Sequence, residues 1–322
     1  MLKSAEYYKN LVQQEPENKK AKFHLGIASL MEKKYKDGWK YFEYRLEETP
    51  IPDFFPLWKS EPIEDKTILV YGERGYGDTI MFSRYLPLLK SKCKQVLFLP
   101  QPELFDIFDE KTLGVKIIRD IRESIFDTHI SIMSLPYKLG HTEEKDIPRS
   151  HNNQIKNNDE KVNHYKKKYF ENNNLKVGIN WQGCLKPSPN RAIPLEYFEK
   201  LFKIPNISFY SLQTRVGREQ LEILANHKIP DLGSTFNDFS DTASAMKNLD
   251  LVISNDTSVA NLAGTMEKDC WILLPFEHDW RWSEDISYCI WYKNAKLIKQ
   301  NNPNNWDNVF DTVNEELQKL LV

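Results

Sequence analysis

ILVYGERGYGDTIMFSRYLPLLK (Ile68 to Lys90) runs from an apolar stretch through three closely spaced glycines, Gly72, Gly75 and Gly77, into Asp78 and a helix-like pattern. A short run that is apolar on both faces and ends on glycines before a helix reads as a buried parallel strand with its crossover. The texture recurs in TILVYG, QVLFLP, GVKII and THISIM, then in KVGINW, ISFYSL, LDLVIS and CWILLP. Two doubly wound α/β lobes in succession are therefore expected. Between them IPRSHNNQIKNNDEKVNHYKKKYFENNNLK is rich in Asn and Lys; its polar start suits a linker, and its amphipathic part, from about Asp159 to Phe170, suits a helix opening the second lobe. After Gln300 an amphipathic helix is expected, with Val309, Phe310, Val313, Leu317, Leu320 and Leu321 along one side. The expected division is residues 1–56 helical, 57–155 first lobe, 156–300 second lobe and 301–322 terminal helix.

At 322 residues the chain suits two compact lobes plus an appendage. Lys and Arg number 44 against 46 Asp and Glu, a net charge of -2, which argues against a nucleic-acid partner because phosphate neutralisation needs a basic excess. The four cysteines, Cys93, Cys184, Cys270 and Cys289, form no C-x-x-C pair, so neither a zinc site nor a disulfide framework is indicated and a reducing cytoplasm is expected. No apolar run approaches a membrane span, and the start MLKSAEYYKN lacks the apolar core of a secretion signal.

Residues 1–50 have helical periodicity, and Pro16 and Pro50 stand 34 positions apart, the period of a tetratricopeptide repeat. Leu25-Gly26, Gly38 and Phe42 fall in register with that repeat, and Ser4 and Tyr8 repeat two of its places before Pro16. Half a repeat followed by one full repeat is one reading; an ordinary helical hairpin is the other. Since such repeats cannot bury their apolar face alone, the segment must lean on the adjoining lobe or on a second copy of the chain.

The spacing in YGERGYGDT is G-x-x-G-x-G, the reverse of the dinucleotide fingerprint, and no Gly-Lys-Ser/Thr follows, so cofactor binding there is weakly indicated. Asp78 has two readings. It, or Thr79, is a helix cap; alternatively Asp78 is a general base at the carboxyl end of a strand, where open α/β sheets bind ligands. In LDLVISNDTSVANLAGTM a strand runs through Asn255 and Asp256 into Thr257 and Ser258, whose hydroxyls and helix-start N–H groups suit phosphate oxygens, or else merely cap the helix. Lys186 and Arg191, on the loop CLKPSPNR, are cations suited to a departing diphosphate or simply solvated. PFEHDWRW crowds Trp280 and Trp282 among charges, as a base-stacking rim or a buried corner.

Taken in order, VYGERGYGDTIMFSRYLPLL, VGINWQG, RAIPLEYFEKL, SLQ, DFSDTASAMKNLDLVISNDTSVANLAGTM and WILLPFEHDWRW resemble the domain of bacterial tetratricopeptide-repeat proteins related to the heptosyltransferases, glycosyltransferase family 9. The resemblance covers about Lys66 to Gln300 and implies a GT-B fold with an acceptor-side first lobe and a nucleotide-sugar-side second lobe. It implies sugar transfer with inversion to a protein or glycan hydroxyl, with Asp78 as base. Donor binding would fall to Arg191, Lys186, Asp256, Thr257, Ser258, Gln213 and Trp280, with Gly75 and Gly77 shaping the loop. No D-x-D is present, consistent with a transferase that needs no metal or other cofactor; Glu277-x-Asp279 is the nearest approach. Asn261 stands where many relatives have His. The helical segment suggests a protein acceptor, such as a surface-appendage protein, or self-association. A non-catalytic GT-B scaffold and a nucleotide-sugar epimerase are the alternative readings.

Overall fold

Ile68, Leu69 and Val70 are buried on both faces of the first strand, as a central parallel strand requires. The computed structural model describes residues 2–47, 56–149, 154–185 and 188–321. These form two compact units. Unit 1 gathers Met1–Phe105, Glu110–His151 and Asp279–Ile286; unit 2 gathers Asp106–Asp109, Asn152–His278 and Ser287–Val322.

Unit 1 begins with the helices α1 (Ala5–Gln14), α2 (Lys19–Met31) and α3 (Tyr35–Phe42). It continues with β1 (Thr67–Tyr71), α4 (Tyr76–Phe82), α5 (Leu86–Lys90), β2 (Gln95–Leu99), α6 (Glu110–Leu113), β3 (Lys116–Ile117), β4 (Thr128–Ser131) and α7 (Leu135–Lys138). Its strands are parallel in the order β3-β2-β1-β4, with Thr67 opposite Gln95 and Ile68 opposite Thr128. The order reverses between β1 and β4, so the crevice favoured for ligands lies beyond Tyr71 and Ser131.

Unit 2 contains α8 (Asp159–Tyr169), β5 (Leu175–Asn180), α9 (Glu196–Glu199), β6 (Ile207–Ser211), α10 (Leu221–Asn226), α11 (Phe239–Met246), β7 (Leu251–Asn255), α12 (Ser258–Thr265), β8 (Asp269–Leu274), β9 (Ala295–Lys299) and α13 (Asp307–Lys319). The parallel order β6-β5-β7-β8-β9 reverses between β5 and β7, placing the favoured crevice beyond Asn180 and Asn255. Val309, Phe310, Val313 and Leu317 of α13 close one face of the sheet together with Phe198 and Ile253, whereas Leu320 and Leu321 are exposed.

The amino-terminal helices follow their local signals. Ser4 Oγ accepts from Tyr7 N at 3.3 Å, and Asn18 Oδ1 accepts from Ala21 N at 2.8 Å, so α1 and α2 each start on a capping side chain. Their apolar side is buried within unit 1: Trp39 meets Phe82 of α4 edge-on at 6.1 Å and Trp280 at 5.8 Å. Pro50, the end of the expected repeat, lies outside the described residues. α2 and α3 approach closely at Gly26, where a Cβ would stand 2.4 Å from Phe42 N and 2.6 Å from the Tyr41 carbonyl carbon. Gly26→Ala would gain about 1 kcal/mol of helix propensity. Because the obstruction is backbone, the two helices must part, and overpacking of about 1–3 kcal/mol or more outweighs that gain. Net destabilisation in urea unfolding is the expected result.

Among the described residues no helix is long and apolar enough to cross a membrane.

Candidate functional site

In unit 1 the loop after β1 carries the first group of functional side chains. Gly75 is the N-cap of α4, with extended backbone, and the helix starts at Tyr76, so Gly77 lies in the first turn and Asp78 is the third helical residue. Its Oδ2 accepts the Gly75 N–H at 3.1 Å, so the carboxylate serves the cap from inside the helix. Oδ1 is taken by the guanidinium of Arg281, with Nε at 2.9 Å and Nη2 in closer contact. Both side chains keep 13% of their surface, so the pair is neither sealed nor fully solvated.

Behind this loop lies a buried ionic cluster. Glu73 is 4% exposed and Arg45, from the turn that follows α3, is 0% exposed. Arg45 Nε and Nη2 donate to Glu73 Oε1 and Oε2 at 3.0 and 2.9 Å, Nη2 reaches Ser134 Oγ at 2.7 Å and Nη1 reaches Glu43 at 2.6 Å. Ser131, at the end of β4, donates to the same Glu73 oxygen. Burial works to raise the Glu73 carboxyl, but the Arg45 charge and the Arg45 and Ser131 hydrogen bonds outweigh it and hold the group below the ordinary carboxylate range. Burial, reinforced by the Glu73 charge, pushes the neighbouring Tyr71 phenol up to about 12. Between Glu73 and Gly75, Arg74 sits at φ +61°, an uncommon backbone for a residue other than glycine, with its guanidinium 5.6 Å from the Phe23 ring centre.

Trp280 belongs to unit 1. It is 7% exposed and packs against Phe42 at 5.1 Å, while the Arg281 guanidinium lies 4.6 Å from its ring centre. The buried-corner reading of PFEHDWRW therefore describes it. Two residues beyond Arg281, the buried Ser283 adopts φ 51° and ψ 171°, a region open almost only to glycine.

The second group stands in unit 2, at the reversal between β5 and β7. Thr257 is the N-cap of α12, yet its side chain makes no cap hydrogen bond. Its hydroxyl instead donates to Asn180 Oδ1 at 3.0 Å and lies 3.1 Å from Ser254 Oγ. Thr257 thus contributes no side-chain cap to the opening N–H groups of α12, and Ser258, the first helical residue, is half-exposed beside them. Arg191 stands next to this start: Nη1 donates to the Asp256 carbonyl at 3.2 Å and Nη2 to the Cys184 carbonyl at 2.8 Å, while Asn255 Nδ2 donates to the Arg191 carbonyl at 2.8 Å. Arg191 Nε is buried with no hydrogen-bond partner. Gly183 completes the group, because a Cβ there would lie 2.9 Å from Thr257 Cγ2 and 3.6 Å from Arg191 Nη2.

Arg191, Asp256, Thr257 and Ser258 are thus gathered in one place. Gln213 is near but fully used: Oε1 accepts from Asn180 Nδ2, Trp181 N and Gln182 N at 2.9, 3.1 and 3.1 Å, and Nε2 donates to the Gln182 and Val216 carbonyls. It shapes the strand end. Lys186 lies outside the described residues. Asn261 is buried, donating to the Thr257 carbonyl at 3.1 Å and accepting from the Tyr292 hydroxyl at 2.7 Å, so it braces α12 from inside. Sequence reasoning assigns no role to Glu73, Arg45, Asn180 or Gly183, and Arg281 enters it only within the rim-or-corner alternative for PFEHDWRW; the available signal for its pairing is that an arginine between two tryptophans needs a carboxylate when it folds inward.

Comparison with solved structures adds to this geometry. No family model matches the chain, and no curated protein matches it in sequence. The structure of the glycosyl transferase family 9 protein from Veillonella parvula aligns with a TM-score of 0.59 at 12% identity, over 81% of this chain and 90% of that one. The fold is of the GT-B type. Escherichia coli ADP-heptose lipopolysaccharide heptosyltransferase II aligns with a TM-score of 0.56 at 12% identity, over 80% of this chain and all of that one (100%). At such identity the GT-B likeness carries architecture, two parallel sheets with ligand crevices at their strand ends, and leaves the chemistry to be argued from side chains.

Proposed function

We propose that the chain is an inverting glycosyltransferase that uses a nucleotide-sugar donor. The observation that carries this reading is the start of α12, which Thr257 leaves uncapped and which has the Arg191 guanidinium beside it. Helix-start N–H groups and a fixed cation together match a diphosphate, which carries negative charge before the reaction and more after it. Ser258 adds a hydroxyl donor. Asp78 supplies the second requirement, a carboxylate in the first turn of α4, just past the loop that leaves β1. In the reaction it takes the proton of the acceptor hydroxyl while that oxygen attacks the anomeric carbon. The bond from that carbon to the diphosphate breaks on the opposite face, its electron pair leaves with the nucleoside diphosphate, and the configuration inverts. The expected division of labour gives the donor to the second lobe and the acceptor to the first. The helices before Pro50, read as half a tetratricopeptide repeat plus one full repeat, favour a polypeptide acceptor, such as a surface-appendage protein.

The test is a panel of nucleotide sugars, with ADP-heptose among them, followed by nucleoside diphosphate release with and without acceptor. Binding and acceptor-dependent release support the reading. Absence of any donor binding leaves a folded scaffold, and isomerisation without acceptor indicates an epimerase. Arg191→Ala should weaken nucleoside diphosphate binding about 10- to 100-fold in calorimetry, the worth of about 1.5–3 kcal/mol for hydrogen bonds from a charged group.

A further inference from the structure

We propose that Arg281 is a positioning residue for proton transfer, fixing the Asp78 carboxylate so that Oδ2 is the proton-accepting oxygen. The inference rests on the reading of Asp78 as base. Arg281 places Nε and Nη2 on the same oxygen, Oδ1, and so occupies both of its lone-pair sites. Oδ2 holds only the Gly75 N–H, at 3.1 Å, and keeps one site for an incoming proton. The carboxylate therefore cannot exchange its two oxygens by rotation without breaking three hydrogen bonds.

The clamp is itself fixed. Arg281 Nη1 donates to Asp279 Oδ1 at 2.6 Å, and the same oxygen accepts the Arg281 backbone N–H at 3.1 Å. The guanidinium faces the Trp280 ring at 4.6 Å, and that ring is held by Phe42 and Trp39 from α3. Ser283 keeps its glycine-like backbone with Oγ donating to the Asp285 carbonyl at 2.9 Å. Asp279 matters after the transfer as well. Once the acceptor proton has moved to Oδ2, Asp78 is neutral, and Asp279 leaves Arg281 with a carboxylate partner, so the step does not strand a cation.

The experiment compares wild type, Arg281→Met, Arg281→Lys and Asp78→Asn in turnover and by crystallography. Methionine keeps an unbranched stem against Trp280 but leaves Asp78 and Asp279 without their shared cation, so melting temperatures must show that the variant is folded. Arg281→Met is expected to lower kcat about 100-fold, the usual loss for a reacting group displaced by about 1 Å, with Asp78 found in a different rotamer. Donor KM should stay within about twofold, because the lost interaction acts on the chemical step. Arg281→Lys, with one point charge in place of the fork, should recover part of the loss. The proposal is overturned if Arg281→Met turns over at the wild-type rate while Asp78→Asn is inactive, if its loss falls on donor KM, or if its crystal structure keeps Asp78 in place. Wild-type failure on every donor, or full activity of Asp78→Asn, would sink the proposed function instead, and the Asp78 rotamer would still decide the clamp.

Discussion

Asp78→Asn is expected to lower turnover by about 10² to 10⁴, the usual contribution of a positioned general base, while nucleoside diphosphate affinity remains at the wild-type level. The two readouts separate because the diphosphate reading rests on α12 and Arg191, in unit 2, whereas Asp78 belongs to unit 1. The substitution is not silent for the fold. Asp78 accepts at both oxygens, from Arg281 and from Gly75 N, and an asparagine has one oxygen and one NH2 group. Whichever way the amide turns, it meets a donor with a donor, so about 1–3 kcal/mol of stability should also be lost. Circular dichroism and the melting temperature of the variant must therefore accompany the kinetics. A folded Asp78→Asn protein with turnover within a few-fold of wild type removes Asp78 from the chemistry.

The strands of the fold were legible because parallel strands buried on both faces need continuous apolar runs, and TILVYG, QVLFLP, KVGINW, ISFYSL and CWILLP supply them. The strand that escaped, β9, shows the limit of that signal. It is the edge strand of its sheet, and Lys296 and Lys299 interrupt the run AKLIK, giving a pattern no stronger than a loop's. GVKII pairs over only two residues, Lys116 and Ile117, so its apolar character overstated its length.

The candidate site was legible where it is local. Three glycines and an aspartate mark the turn into α4, and a strand running into Thr257-Ser258 marks the turn into α12, because both reflect backbone needs of adjacent residues. What each side chain does was hidden wherever its partner is remote. Arg281 meets Asp78 across 203 positions of sequence, and Arg45 meets Glu73 across 28. The Trp280 loop read equally well as a binding rim or a buried corner, since composition does not say which core a tryptophan enters; Trp39 and Phe42 decide it. The place of Thr257 before the helix suits either an anion or a cap; its hydroxyl turns back to Asn180, so Thr257 does not cap α12 with its side chain.

Arg45→Met is expected to destabilise the protein by about 3–5 kcal/mol at neutral pH, because it leaves Glu73 as a buried charge with only the exposed Arg74 as a cation. Chemical denaturation should show the loss, and pH should modulate it in a defined direction. In the wild type the folded Glu73 carboxyl is held below its unfolded value of about 4.3, so its contribution is complete above that value and is lost as pH falls through the lower folded one. Without Arg45, burial, the Ser131 hydrogen bond and the weaker pull of the exposed Arg74, whose Nε lies 3.6 Å from Glu73 Oε1, remain, and burial favours the neutral acid. The variant should therefore be relieved by acid, and the gap between the two proteins should narrow below about pH 5. A gap that stays constant down to pH 3 would show that the Arg45 charge is not what stabilises the cluster. Arg45→Met combined with Glu73→Gln should recover part of the loss at pH 7, since the deeply buried Glu73 charge is removed with its cation and only the less buried Glu43 loses a partner. The same cluster bears on how the amino-terminal helices are tested. Truncation before Pro50 deletes Arg45 as well as any acceptor surface, and Glu73 stands two residues ahead of Gly75, whose N–H holds Asp78. Loss of activity on truncation thus has two causes, and Arg45→Met separates them: it should slow turnover on small and polypeptide acceptors alike, whereas losing a docking surface would spare the small ones.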